Sequence, residues 1–167
     1  MRNIWAIGCT HFNHANIIKY CDRPFDSTQE MDELMIDNWN SVVKDGDIVY
    51  HVGDVYFGVD GRKSLNRLKG RKRLLIGNHD NGKDEHLASN FQKVGLWRMF
   101  PDFGLLLTHV PVHPSTLSEN PNRGKMKNVH AHTHLNGEPD GDTENYKSVT
   151  VELNNYTPVN LEELRIR

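Results

Sequence analysis

Five short blocks of this chain concentrate groups that bind cations. They are Cys9-Thr10-His11, Gly53-Asp54, Gly77-Asn78-His79-Asp80, Thr108-His109 and His130-Ala131-His132-Thr133-His134. Ten histidines occur in 167 residues, and those in the blocks stand beside carboxylate, amide or thiol groups. Such a mixture of nitrogen, oxygen and sulfur donors suits divalent transition metals, and the blocks together supply enough ligands for two cations sharing one carboxylate. Gly53 and Gly77 each precede a donor, where a residue without Cβ lets the backbone turn and send the next side chain out of a sheet edge.

The elements that must position these groups can be read from apolar periodicity. Residues 3–8, 48–52 and 74–76 read as strands, each ending at a block. Ser27-Thr28-Gln29-Glu30 has capping-box spacing, and Met31, Leu34, Met35, Trp39 and Val42 follow at helical spacing to about Lys44. Met31, Met35 and Trp39 are read as a core stripe. A basic helix opens at Asp60 or Gly61, carries Leu65 and Leu68 and closes at Gly70. A shorter helix is expected over 83–93, then strands at 97–100 and 104–108 around the Pro101-Asp102 turn. Residues 111–127 form a long loop, a length more often functional than idle. Val129 starts a further strand, 148–153 is the last, and Asn160 caps a terminal helical turn. Helices alternate with strands early and strands dominate late, which implies an α/β sandwich with mixed sheets. Cys9, His11, Asp54, Asn78, His79 and His109 all fall just past the end of an apolar run, the edge where α/β sheets bind ligands.

The five blocks, in this order, resemble the calcineurin-like metallophosphoesterases, whose signature runs D-x-H, G-D, G-N-H-D/E, a lone H and G-H-x-H. The stretch THFNHANIIKYCDRPF, residues 10–25, is similar to a subgroup of small phosphoesterases from bacteria and their phages. Two positions depart from the pattern: Cys9 stands where the family has Asp, and Ala131 where it has Gly. The resemblance implies an αββα four-layer sandwich with two mixed sheets, as one domain over 1–167. It implies that Cys9, His11, Asp54 and His134 hold a first metal, and Asp54, Asn78, His109 and His132 a second. Two cations roughly 3.5–4 Å apart can share a hydroxide nucleophile and clamp the phosphoryl oxygens. His79 would then assist the leaving group, with Asp80 orienting its ring. The expected cofactors are two divalent ions, Zn, Fe or Mn. A thiolate at position 9 favours Zn or Fe at the first site; the alternatives are a Cys9 turned away from a damaged site, or a substitution that weakens turnover.

The leading expectation is therefore hydrolysis of a phosphomonoester or diester, nucleotide-type substrates included. The rival is a phosphoesterase-fold scaffold, against which the intact Gly77-Asn78-His79-Asp80 block argues. His14 and His113 lie near ligand blocks and are candidates for substrate contact, as is Arg123, with Lys125 and Lys127, in the long loop; the plainer reading of that loop is a solvated one. His51, His86 and His130 are expected at the surface, and Cys21 as a packed small hydrophobe. The basic residues Arg62, Lys63, Arg67, Lys69, Arg71, Lys72 and Arg73 read as a solvated face. A formal charge of -2 argues against bulk nucleic-acid coating. No apolar run spans a membrane, and two cysteines without a disulfide framework imply a reduced, cytoplasmic setting.

Overall fold

Alternating apolar side chains build two sheets whose inner faces meet. The structure is a computed structural model that describes every residue except Met1, Asn120, Asn122, Arg123 and Arg167; the expectation placed on Arg123 therefore lies outside the described residues. Strands β1 (Ile4–Ile7), β2 (Ile48–His51), β3 (Arg71–Leu75) and β4 (Val94–Gly95) pair in parallel. A second sheet holds β5 (Trp97–Phe100), β6 (Leu105–Thr108), β7 (Lys127–His130) and β8 (Tyr146–Ser148), with β5 antiparallel to β6 and the rest parallel. Strand β9 (Val159–Asn160) returns antiparallel to β1, giving sheet orders β4-β3-β2-β1-β9 and β5-β6-β7-β8. Both sheets are mixed, and the fold is a two-sheet α/β sandwich.

Period-two burial sorts the side chains into layers. Ala6, Tyr50 and Leu75 face Leu105, Leu107 and Val129 between the sheets. Their neighbours Ile7, Val49 and Leu74 turn the other way and pack on a helical layer. That layer holds α1 (Ala15–Tyr20), α2 (Thr28–Val42), α3 (Gly58–Asn66) and α4 (Glu85–Asn90). Met31, Met35 and Trp39 of α2 are fully buried in it, as expected of the stripe. On the outer face of the second sheet, Leu106 and Tyr146 are covered by Leu117 and Met126. This fourth layer is made of 3₁₀ turns and irregular chain, because the described α-helices all precede residue 91.

Several element ends differ from the periodicity reading for local reasons. Ser27 caps α2 by accepting the Glu30 amide at 3.1 Å, but Glu30 reaches back to Asp26 at 2.9 Å rather than to Ser27. Helix α3 opens at Gly58, before Asp60, and ends before Leu68. Gly61 lies inside it, where a Cβ would meet the Phe12 carbonyl oxygen at 2.8 Å, so its role is close packing rather than helix initiation. Residues 148–153 are not one strand: β8 ends at Ser148 and a 3₁₀ turn spans Val151–Leu153. Asn154 Nδ2 donates to the Ser148 and Thr150 carbonyls at 3.1 and 2.8 Å, which draws the chain out of the ladder. Asn160 caps the terminal 3₁₀ turn through the Glu162 amide at 3.0 Å.

Candidate metal centre

Five parallel strands, three from one sheet and two from the other, end at the same edge. Cys9 follows β1, Asp54 follows β2, Asn78 follows β3, His109 follows β6 and His132 follows β7. The loops are stitched across that edge: the Cys9 amide donates to Gly53 at 2.9 Å, the His11 amide to Asp54 at 3.1 Å, and the Ala131 amide to His109 at 2.9 Å. Glycine is needed at two crossings. A Cβ on Gly53 would lie 2.5 Å from His109 Nδ1, and one on Gly77 would strike the Asp54 carboxylate. Cys9, His11, Asp54, His132 and His134 all adopt positive φ, between 48° and 68°. Non-glycine residues in that region carry strain of order 1–3 kcal/mol each, and such strain gathers at functional sites.

The side chains delivered there converge on Asp54. Its Oδ1 accepts the His79 amide at 2.9 Å. Its Oδ2 lies 3.6 Å from His11 Nε2 and 3.4 Å from His109 Nε2, between two imidazoles. His109 Nε2 is also 2.9 Å from Asn78 Oδ1, while its Nδ1 is 2.7 Å from the Val52 carbonyl. Both ring nitrogens of His109 thus face oxygen acceptors; a cation at Nε2 would take the place of a proton there, with Nδ1 donating to the Val52 carbonyl. Donor atoms of Cys9, His11 and His134 lie within 4.8 Å of one another, and so do those of Cys9, Asp54 and His109. Cys9 thus belongs to both triads. The His132 ring lies 5.1 Å from that of His109, beside the second triad.

A surrounding set of bonds fixes these donors. Asp80 accepts the Asp54, Val55 and Gly77 amides at 2.8, 2.9 and 2.8 Å, tying the β2 and β3 loops together. Glu152 Oε1 is 2.9 Å from His134 Nδ1 and accepts Arg23 Nε and Nη2 at 2.9 and 2.7 Å. Arg23 also donates to the Cys9 and Thr10 carbonyls at 2.7 and 2.9 Å. This buried guanidinium explains why the 10–25 stretch reads as a motif: its last residues brace its first. Nothing in the sequence singled out Glu152, which lies 129 residues from Arg23.

Charge states in the centre are mixed: burial would lower His109, but the hydrogen bond and charge of Asp54 and the Val52 carbonyl raise it above its ordinary value. Burial outweighs the pull of Asp54 and brings the His11 imidazole down to about 2. Burial also lowers His132 and His14. Against the effect of burial, His109, the His79 amide and His11 hold the Asp54 carboxyl well below the usual carboxylate range. Burial and then the charge of Asp54 push the Cys9 thiol up, with the His132 amide opposing. A bound cation favours the thiolate, which reverses that balance. The residues fit a metal on a further observation: both ring nitrogens of buried His11 have no hydrogen-bond partner. Such a ring is anomalous in a protein interior unless another ligand satisfies it.

The remaining expectations divide. His14 is at the centre, 5.4 Å from the His11 ring and stacked on Phe57 at 4.1 Å. His79 is exposed, with its ring 5.6 Å from His11. Phe57, which the sequence reading passed over, contacts His11, His14 and His79. His113 is exposed and its Nδ1 accepts the Ser115 amide at 3.3 Å, capping a 3₁₀ turn; it is not among the imidazoles gathered here. His51 and His130 are fully buried, contrary to the surface reading. His51 is 2.9 Å from Thr10 Oγ1 and His130 is 2.8 Å from Glu138 Oε2, so each is a bonded interior histidine. Cys21 is buried in the helical core as expected. Its sulfur also lies within 4.8 Å of His134 and Glu152 donor atoms, where Arg23 already supplies the positive charge. Most of the basic stretch is a solvated face, where Arg62 pairs with Asp84, Lys63 with Asp60 and Arg67 with Glu33. Lys72 and Arg73 are instead half-buried, Lys72 Nζ donating to the Leu68 carbonyl at 2.9 Å and Arg73 Nη1 to the Tyr50 hydroxyl at 2.6 Å.

No family model matches the chain. It is 36% identical over 170 residues to the uncharacterized protein MJ1445 of Methanocaldococcus jannaschii, covering 97% of this chain and 89% of that protein. The structure is similar to a protein of unknown function, AQ665 from Aquifex aeolicus, with a TM-score of 0.78, 26% identity and 98% of each chain covered. A novel archaeal phosphodiesterase compares at a TM-score of 0.49 and 16% identity, over 89% of this chain and 82% of that one, a likeness too slight to build on. Among the described residues, no helix is long and apolar enough to cross a membrane.

Proposed function

The chain belongs to the family of the uncharacterized protein MJ1445 of Methanocaldococcus jannaschii, and from the chemistry of its strand-end cluster we propose that it is a metal-dependent phosphoester hydrolase. The observation that carries this reading is the buried, unpartnered His11 beside a carboxylate oxygen that also faces His109. Cys9, His11, Asp54 and His134 would hold one divalent cation, and Asp54, Asn78, His109 and His132 a second. When bound, the cations supply a water-derived nucleophile at neutral pH and positive charge for the phosphoryl oxygens.

The chain's own residues do the rest. Neutral imidazoles at His11 and His132 offer lone pairs, and the ionised Asp54 is shared between the two halves. Asp80 and Glu152 hold the ligand loops in register. His79, exposed and anchored by its amide to Asp54, would give a proton to the leaving alkoxide. His14, stacked on Phe57, would contact the substrate phosphate.

Hydrolysis of p-nitrophenyl phosphate and bis(p-nitrophenyl) phosphate, with Mn, Zn and Fe supplied in turn, tests the reading. Turnover with at least one metal, removed by chelation and by Asp54→Asn, is expected. A folded protein silent on both esters under all three metals overturns it.

A further inference from the structure

A groove of about 570 Å³ opens beside the second half of the centre. Asn78 and His109 belong both to its lining and to the proposed ligand set. Away from them the walls are apolar, formed by Ile76, Leu96, Trp97, Met99, Leu106 and Val112. The lining holds no lysine, arginine, aspartate or glutamate. Trp97 and Leu96 are 59% and 70% exposed, so two adjacent large apolar side chains face solvent at the groove. Topology explains the location. Strand β4 is the edge of one sheet and β5 the edge of the other, so the residues joining them lie between two open edges.

A polar ligand set with an apolar groove attached is the arrangement expected of a site whose substrate has a charged head and an apolar body. We propose that this groove seats a flat aromatic ring of the phosphoester, stacked on Trp97, while the phosphoryl group lies at the Asn78–His109 end. The proposal rests on the phosphoester reading above and names its substrate class: esters of an aryl or nucleobase-bearing group. An exposed indole offers a face to any planar ring, and stacking of this kind tolerates different rings. The sparse polar atoms of the walls give few means of reading a ring's edge, so recognition is by shape and stacking.

Phosphonates test this without turnover, since their P–C bond is not hydrolysed. Calorimetric titration of metal-loaded protein with phenyl-, methyl- and octylphosphonate is expected to give phenylphosphonate about tenfold tighter binding than methylphosphonate. That advantage should persist in Trp97→Phe and fall below about threefold in Trp97→Ala. Equal affinity for phenyl and methyl compounds overturns the ring seat and leaves the phosphoester reading standing. Tighter binding of octylphosphonate than phenylphosphonate overturns it in favour of a hydrocarbon chain. Failure of every phosphonate to bind, together with no ester hydrolysis, removes the phosphoester reading and the seat with it. Sedimentation at the same concentrations supplies the last arm: self-association abolished by Trp97→Ala makes the groove an interface between copies and overturns the proposal.

Discussion

The sulfur of Cys9 accepts the backbone amide of His132 at 3.2 Å, joining residues 123 apart in sequence. One of these residues follows β1 and the other β7, so the thiol sits at the seam between the two sheets. Its side chain is fully buried and belongs to both donor triads. Cys9 also packs in the apolar core between the sheets, so its sulfur lies where that core meets the donor cluster.

A soft sulfur at the seam should set metal preference. Cys9→Asp is expected to reduce the preference for Zn over Mn at least tenfold, measured by competition dialysis and metal analysis. Identical Zn-to-Mn ratios in the two proteins would mean that position 9 does not select the metal.

Glu152 holds His134 on one side and the buried Arg23 on the other. Glu152→Gln keeps an acceptor oxygen but loses the charge, and metal affinity should drop by about 10- to 100-fold. Glu152→Ala also strands Arg23, with a loss of about 3–5 kcal/mol in urea unfolding. Wild-type metal affinity in the Gln variant would assign Glu152 to folding alone.

Asp80 presents a different balance. Its carboxylate takes three backbone amides from two loops, and hydrogen bonds to a charged group contribute roughly 1.5–3 kcal/mol each. Asp80→Ala should cost about 3 kcal/mol or more by denaturant titration, and Asp80→Asn less. A stability change below about 0.5 kcal/mol in the Ala variant would show that the loops hold without it.

These cases show which parts of the centre were legible in the sequence. The strand-end donors were, because each follows an apolar run and several follow a glycine, which is local information. The supporting residues were not. Glu152 meets Arg23 and His134 only through tertiary packing, and the 3₁₀ turn that carries it gives no periodic signal. His51 and His130 were misplaced at the surface because a lone histidine says nothing about the Thr10 or Glu138 that satisfies it. An α/β sandwich with mixed sheets was readable from element order and its two-sheet arrangement came with the family resemblance, whereas β4 and β9, two residues each, are too short to leave a pattern.

His79 is held by its amide on Asp54 Oδ1 while its ring is exposed. A general acid matters most when the leaving group is basic. His79→Ala should lower the rate on an alkyl phosphoester about 10²- to 10⁴-fold, with a much smaller effect on p-nitrophenyl esters, whose leaving group needs no proton. Metal content should not change. An equal loss on both ester types would assign His79 to substrate positioning rather than proton transfer.

Asp47, remote from the centre, provides a pH test of the fold. Only 3% of its surface is exposed. It accepts the Asn3 amide and the Trp5 indole at 3.0 Å and the Lys44 amide at 3.1 Å. Burial alone would raise its pKa, but those three donors outweigh it and hold the carboxyl below its ordinary value. With the folded pKa below the unfolded value of about 3.9, the stabilisation is fully present above that pH and is lost as pH falls through the folded pKa. At neutral pH, Asp47→Asn should cost about 1–3 kcal/mol. The gap between wild type and variant, followed by urea unfolding, should stay constant down to about pH 5 and narrow below about pH 4. A gap that holds unchanged to pH 2 would mean that the charge of Asp47 contributes nothing to it and that the cost of Asn is one of shape and hydrogen-bond geometry alone.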